Sequence, residues 1–420
     1  MESNPAVALF LAIGLIVAAS RIGGTIARRF HQPRVLGELI IGVILGPTLI
    51  DVLHQSVFHG VELQETIKLF AELGVLLLMF IVGLEVNMGE LMKVGRVGVI
   101  AGFAGAFAPV LLTLPLVLLF QYAWQPALFA GVTLAATSVS ISAQVLLELG
   151  VLRTKVGNAL LATALIDDII AILLVSLTVA ITGTDSSAAS VDFGSLLSII
   201  VTMALYLVGA FLLAWFIVPK VINWLSTRPS LAQSYGIPAF ALIALLLFGW
   251  SAEELGGMAA ITGAFLAGVG FSRAKERVRH DIETALSGIA YTFLVPIFFV
   301  DVGLQTDLST FPLSALPLAL LLLVVAVASK IGGCGLGGRL GGFANGDALR
   351  LGVCMISRGE VGLIIASLGI GVGVFRADDP LFASLFLVIL VSTLITPPLV
   401  RALFKGEQTH EAGRADHRAG

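Results

Sequence analysis

Leu160–Leu177 reads LLATALIDDIIAILLVSL, an apolar run interrupted at its middle by two adjacent aspartates, Asp167 and Asp168. With its flanks the run reaches the length of about 20 residues that a helix needs to cross a bilayer. A carboxylate at the centre of such a helix costs about 2.5–3.5 kcal/mol even on the lenient insertion scale. The bland reading makes both aspartates tolerated passengers, or capping groups of a broken helix, and must absorb that cost twice. Intramembrane acids more often face a water-filled cavity and mark an ion or proton pathway.

The rest of the chain agrees with a membrane setting. Of 420 residues, 58% are hydrophobic and only 12% charged, against about 25% charged in an ordinary soluble domain. This excludes a soluble enzyme, a nucleic-acid binder and a disordered chain. A net charge of -3 implies no strongly acidic or basic partner. Cys334 and Cys354 make no disulfide framework, no Cys/His grouping has metal-ligand spacing, and the six histidines fall in expected loops or the tail. No resident cofactor is implied. The N-terminal apolar run lacks a basic n-region, so it reads as a retained helix.

Cutting at charged and Pro/Gly-rich breaks gives thirteen candidate spans: 5–26, 35–50, 67–87, 97–120, 126–149, 156–181, 196–218, 235–250, 257–271, 286–302, 313–335, 349–375 and 381–404. Cytoplasmic loops should hold the Lys/Arg excess. With the N-terminus outside and the C-terminus in the cytoplasm, Lys68 and Arg376 fall outside and Lys330 and Arg358 within the membrane, which leaves 20 of the 24 basic residues on the inner side. An odd count suits a transporter made of two inverted repeats. The expected organisation is one transmembrane domain over 1–404, with a first repeat at about 5–181, a connector at 196–218 and a second repeat at about 235–404. Residues 405–420 read as a polar cytoplasmic tail too short to fold.

Three further features point to transport. Lys330, in VVAVASKIGGCG, lies two-thirds along its span; snorkelling inward is the alternative, but helical side chains lean toward their own N-terminus, here toward the midplane and the aspartates. Thr133–Gln144 reads TLAATSVSISAQ and crowds Thr137, Ser138, Ser140 and Ser142 at mid-membrane, where hydroxyls compete for backbone hydrogen bonds and favour unwinding. Cys354–Ala366 reads CMISRGEVGLIIA, in which Arg358, Gly359 and Glu360 interrupt the apolar run. The two segments occupy corresponding places in the expected repeats, and paired interruptions of this kind point to a transporter's binding site. A Ser/Thr packing interface with an Arg–Glu pair is the plainer reading. Thr137, Ser138, Asp167 and Asp168 are thus candidate cation ligands, with Arg358 and Glu360 the charges of the second break. Glu38 and Glu85 read as interfacial, and glycine-rich GGCGLGGRL as close helix packing.

Strings along nearly the whole membrane region resemble the bacterial monovalent cation:proton antiporters of the second CPA branch, which includes NapA-like, GerN-like and Kef-like proteins. They are LGELIIGVILGP at 36–47, LGVLLLMFIVGLEVN at 73–87, ATSVSIS at 136–142, LIDDIIAI at 165–172, FLVPIFFVDVGLQTDL at 293–308, ASKIGGCGLGGRL at 328–340 and SRGEVGLIIASLG at 357–369. The resemblance implies an all-helical sodium/proton antiporter fold with two discontinuous crossing helices. It also implies a homodimer in a bacterial inner membrane, each subunit a scaffold bundle beside a mobile core. In that pattern Asp168 binds the cation and Asp167 pairs with Lys330, as in electrogenic exchange of Na+ (or Li+/K+) for H+. Ser138 stands where some sodium/proton antiporters carry a further aspartate, which leaves ion selectivity open. The nucleotide-binding regulatory domain of Kef-type systems is not expected. An electroneutral K+/H+ or Na+/H+ exchanger stays open, as do a passive channel and a receptor subunit.

Overall fold

Lipid offers no hydrogen bonds, so a chain this apolar has to satisfy its backbone within each segment. The computed structural model describes residues 5–55, 58, 63–86, 89, 93–182, 193–228, 235–305, 311–376 and 379–405, and every regular element among them is helical. In order come α1 (Pro5–Arg29), α2 (Arg34–Leu45), α3 (Leu63–Glu85) and α4 (Gly95–Leu119), then a split pair, α5 (Trp124–Ala135) and α6 (Val139–Glu148). After α7 (Lys155–Thr182), α8 (Phe193–Leu212) runs through a wide turn at Leu213–Ile217 into α9 (Val218–Leu225). α10 (Gly236–Glu254) and α11 (Ala260–Phe271) precede α12 (Glu276–Ile289), which continues through a second wide turn at Ala290–Leu294 into α13 (Val295–Leu304). α14 (Leu316–Leu340), a second split pair, α15 (Asn345–Cys354) and α16 (Glu360–Gly371), and α17 (Pro380–Phe404) complete the chain.

Ten stretches among the described residues are long and apolar enough to cross a membrane. Each of the thirteen expected segments falls on a helix or a split pair, but α2 and α11 are only 12 residues each. The crossing count of thirteen therefore goes beyond what helix length alone supports. One expectation is corrected outright. His280 lies within a helix, not a loop, because the charged stretch before the tenth span is an amphipathic turn sequence that buries Val278, Ile282 and Leu286 at intervals of four. The loop at 183–192 and the tail from 406 lie outside the described residues.

The chain divides into two compact units. The first comprises Met1–Thr25, Glu38–Met88 and Leu197–Gln305, and the second Ile26–Gly37, Gly89–Leu196 and Thr306–Gly420. Each unit takes helices from both expected sequence repeats.

In the first unit α3 packs against α11 and α13. Gly83 and Gly268 bring α3 and α11 to backbone contact: a Cβ on Gly83 would meet the Phe265 carbonyl, and one on Gly268 the Phe80 carbonyl, both closer than side-chain atoms ever approach. The two wide turns share a cause. Pro219 and Pro296 each deprive the carbonyl four residues back of its helical partner. An arginine takes it in both cases. Arg273 donates to the Trp215 carbonyl at 3.1 Å, and Arg21 to the Thr292 and Tyr291 carbonyls at 3.3 and 2.9 Å.

In the second unit α4 lies against α14, α5 and α7, and α14 also against α15 and α17. Small residues line these seams, Gly98 facing Ala162 and Gly337 facing Ala101. Outside the spans, the Tyr122 hydroxyl donates to Asp379 at 3.2 Å. Burial, with the Asp379 carboxylate beside it, pushes that phenol up to about 12.

Candidate functional site

The hydroxyl-rich stretch does unwind. α5 stops at Ala135, Ala136 and Ser138 take extended backbone, and α6 begins at Val139. The second interruption spans Met355–Gly359, between α15 and α16. The two breaks are stitched together. The Ser138 N–H donates to the Ser357 carbonyl at 3.0 Å, and the Ser357 hydroxyl donates back to the Ser138 carbonyl at 2.6 Å. Ser142 donates to the Cys354 carbonyl at 2.5 Å, and Ser138 and Ser140 share a hydrogen bond at 2.9 Å. Unwound backbone in lipid is tolerable only when buried and re-satisfied in this way. Gly359 permits the approach, since a Cβ there would stand 2.7 Å from both Cβ and Oγ of Ser138.

Arg358 is fully buried and turns back on its own break. Its guanidinium donates to the carbonyls of Met355 (3.2 Å), Ile356 (2.9 Å) and Ala326 (3.1 Å), while the Thr393 hydroxyl donates to its carbonyl. The cation thus sits at the negative, carbonyl end of α15, where the helix dipole favours it. At the first break, among the described residues, the carbonyl end of α5 receives the Thr137 hydroxyl at a long 3.5 Å to the Ala135 carbonyl. Among the described residues no basic side chain reaches it. Glu360 opens α16, and its side chain lies outside the described residues.

α7 packs on both α5 and α6, and carries the aspartates. Asp167 Oδ1 accepts from Lys330 Nζ at 2.8 Å with both side chains wholly buried. Asp167 Oδ2 is buried with no hydrogen-bond partner among the described residues. Asp168 beside it is half-buried. α4 presents Gly105 beside the pair, where a Cβ would collide with Cys334 Sγ and stand at ordinary contact distance, 3.8 Å, from Lys330 Nζ. Cys334 and Cys354 are both free and buried.

Of the residues singled out from sequence, Asp167 and Lys330 are in contact, and Thr137 and Ser138 lie in the first break. Glu38 is buried and accepts from Ser20 at 3.1 Å, more enclosed than an interfacial carboxylate. Glu85 ends α3, half-buried. Ser357 was passed over although it stands inside the quoted SRGEV string. Thr393 carried no signal at all, being one hydroxyl in an otherwise ordinary apolar span.

Residues 14–406 match the transmembrane sodium/hydrogen exchanger family. The chain belongs to that family. It is 33% identical over 402 residues to the Na(+)/H(+)-K(+) antiporter GerN of Bacillus cereus, covering 94% of this chain and 96% of that protein. Against a Na(+)/H(+) antiporter of Enterococcus hirae it is 33% identical, covering 93% and 97%. Among solved structures, the sodium proton antiporter MjNhaP1 of Methanocaldococcus jannaschii superposes with a TM-score of 0.67 at 17% identity, over 96% of this chain and 98% of that one. The fold is that of this antiporter, with two discontinuous, crossing helices.

Proposed function

We propose that this family member exchanges Na+ (or Li+/K+) for H+ by alternating access, cation and protons competing for the aspartates of α7. One observation carries the reading: a wholly buried Asp167–Lys330 pair at 2.8 Å uses only half of the Asp167 carboxylate, next to half-buried Asp168. Two adjacent carboxylates in a poorly hydrated site titrate as a coupled pair. Cation entry requires Asp168 ionised and releases Lys330 from Asp167; proton entry from the other side expels the cation. The carbonyl end of α5, which no basic side chain reaches among the described residues, supplies further oxygen ligands with Thr137 and Ser138. If one proton leaves an aspartate and one leaves Lys330, two protons exchange per sodium and the cycle moves charge.

The same reading sets the N-terminus outside, the C-terminus in the cytoplasm, and a homodimer in a bacterial cytoplasmic membrane. The two breaks, in the fifth and twelfth of thirteen spans, support the inverted repeats at about 5–181 and 235–404. An electroneutral exchanger with a purely structural Lys330 is the nearest rival. Proteoliposomes decide between them: each cation should dissipate an imposed proton gradient, and a membrane potential should change the rate. Exchange indifferent to potential would sink the electrogenic version; no cation-dependent proton movement would sink antiport itself.

A further inference from the structure

Within the second unit, a hollow of about 200 Å³ is bordered by Arg28, His31, Gln32, Glu148, Leu149 and Arg401. Chain ends and turns converge there. α1 finishes at Arg29, the backbone reverses at His31 with a φ of 55°, α2 starts at Arg34, α6 finishes at Glu148, and Arg401 lies in the last turn of α17.

The charge balance around the hollow is incomplete. Among the described residues Glu148 is its sole carboxylate, and both oxygens are engaged: Oε2 accepts the Arg34 backbone N–H at 2.8 Å, and Oε1 accepts from the Gln144 amide at 3.3 Å. Among the described residues neither the Arg28 nor the Arg401 side chain has a hydrogen bond or ion pair. Nε of Arg34 and Oε1 of Gln32 are buried and unpartnered as well. Arginines at the ends of α1 and α17 also suit those helix dipoles. That accounts for one cation at each end, but not for two unpaired guanidinium groups lining one hollow. At about 30 Å³ per water the space equals about six or seven waters, enough for a tetrahedral oxyanion.

The hollow also lies where two apolar belts end. Ile22, Ile26 and Phe30 are exposed along the end of α1, and Leu399 along the end of α17. Guanidinium groups at that level fork onto phosphate oxygens, and basic pockets between spanning helices suit anionic headgroups. We propose that this hollow binds a phosphate oxyanion, presented by the headgroup of an anionic phospholipid. Because Glu148 ends α6, the ligand ties α1 and α17 to the inner half of the first broken helix. The proposal does not depend on which ion is exchanged.

Thermal unfolding of the detergent-purified protein tests it, with phosphatidylglycerol, phosphatidylcholine, inorganic phosphate or chloride added at matched ionic strength. Phosphatidylglycerol should raise the midpoint by several degrees and phosphatidylcholine should not. Arg28→Gln with Arg401→Gln should abolish that shift while unfolding normally in phosphatidylcholine. Should the double variant not fold, each single variant should lose part of the shift. Native mass spectrometry should count one fewer tightly held phosphatidylglycerol in the variant. An equal, variant-sensitive shift with inorganic phosphate would keep the oxyanion site but overturn its lipid source. A shift that survives the double variant, or no shift with either phosphate, overturns the site.

Discussion

The two interrupted helices are joined by the exchange of hydrogen bonds between Ser138 and Ser357 and by Ser142 on the Cys354 carbonyl, yet their carbonyl ends are finished differently. At α15 the chain brings its own cation, Arg358, against its own freed carbonyls. At α5 the corresponding end meets one weakly placed hydroxyl, and the charged groups stand on α7 next to it. A permanently neutralised break is a fixed joint. A break that no basic side chain reaches among the described residues is, on the function proposed above, one where a mobile cation would complete the electrostatics. The backbone lesion is the same; the charge beside it differs.

The largest effect expected from this contrast is on transport. Asp168→Asn removes an ion ligand and a proton carrier from the open side, so vesicle assays across the pH range should find no cation-dependent proton movement. Residual exchange at any pH would move the site away from α7. Next comes the buried pair. Lys330→Gln or Asp167→Asn alone leaves an uncompensated buried charge, and each should cost about 3–5 kcal/mol of stability. The double variant should cost much less than their sum and retain some exchange with reduced dependence on membrane potential. Unfolding costs that add to within about 0.5 kcal/mol would refute the coupling.

On the fixed side, Arg358→Met should destabilise by about 3 kcal/mol, since buried carbonyls lose a charged donor. Arg358→Lys should recover part of that loss, because it restores the charge but not the fork. If Arg358→Met instead abolished exchange in a protein of native stability, the two breaks would be functionally alike. Thr137→Val on the open side should leave stability nearly unchanged. Apparent cation affinity should weaken by about threefold to tenfold, the worth of about one hydrogen bond. The smallest effect lies outside both breaks, where Tyr122 donates to Asp379 with its phenol pushed up to about 12. Its contribution is complete below about pH 10, the ordinary tyrosine value, and is lost as pH rises through about 12. Tyr122→Phe should therefore lower stability by about 1 kcal/mol at neutral pH, the worth of about one hydrogen bond, and flatten the alkaline limb above about pH 10.

How much of this was legible beforehand follows from what lipid does to a sequence. Asp167, Asp168, Lys330 and Arg358 stood out because each interrupts an apolar run where a charge is costly, and the hydroxyl cluster at Thr137–Ser142 marked a break that the backbone does make. The helix around His280 was missed because its charges resemble a loop, although Val278, Ile282 and Leu286 keep helical spacing. The wide turns before Pro219 and Pro296, and the arginines that complete them, were not read from the sequence.

The sequence by itself determined that the chain lives in a membrane, where its helices break and which residues need a partner, because those demands are set locally by the loss of water. It could not determine the partners. Asp167 meets Lys330 at a sequence separation of 163, Ser357 meets Ser138 at one of 219, and Arg358 satisfies carbonyls of its own break rather than a carboxylate among the described residues. Those choices depend on which helices lie side by side, and only packing in three dimensions decides that.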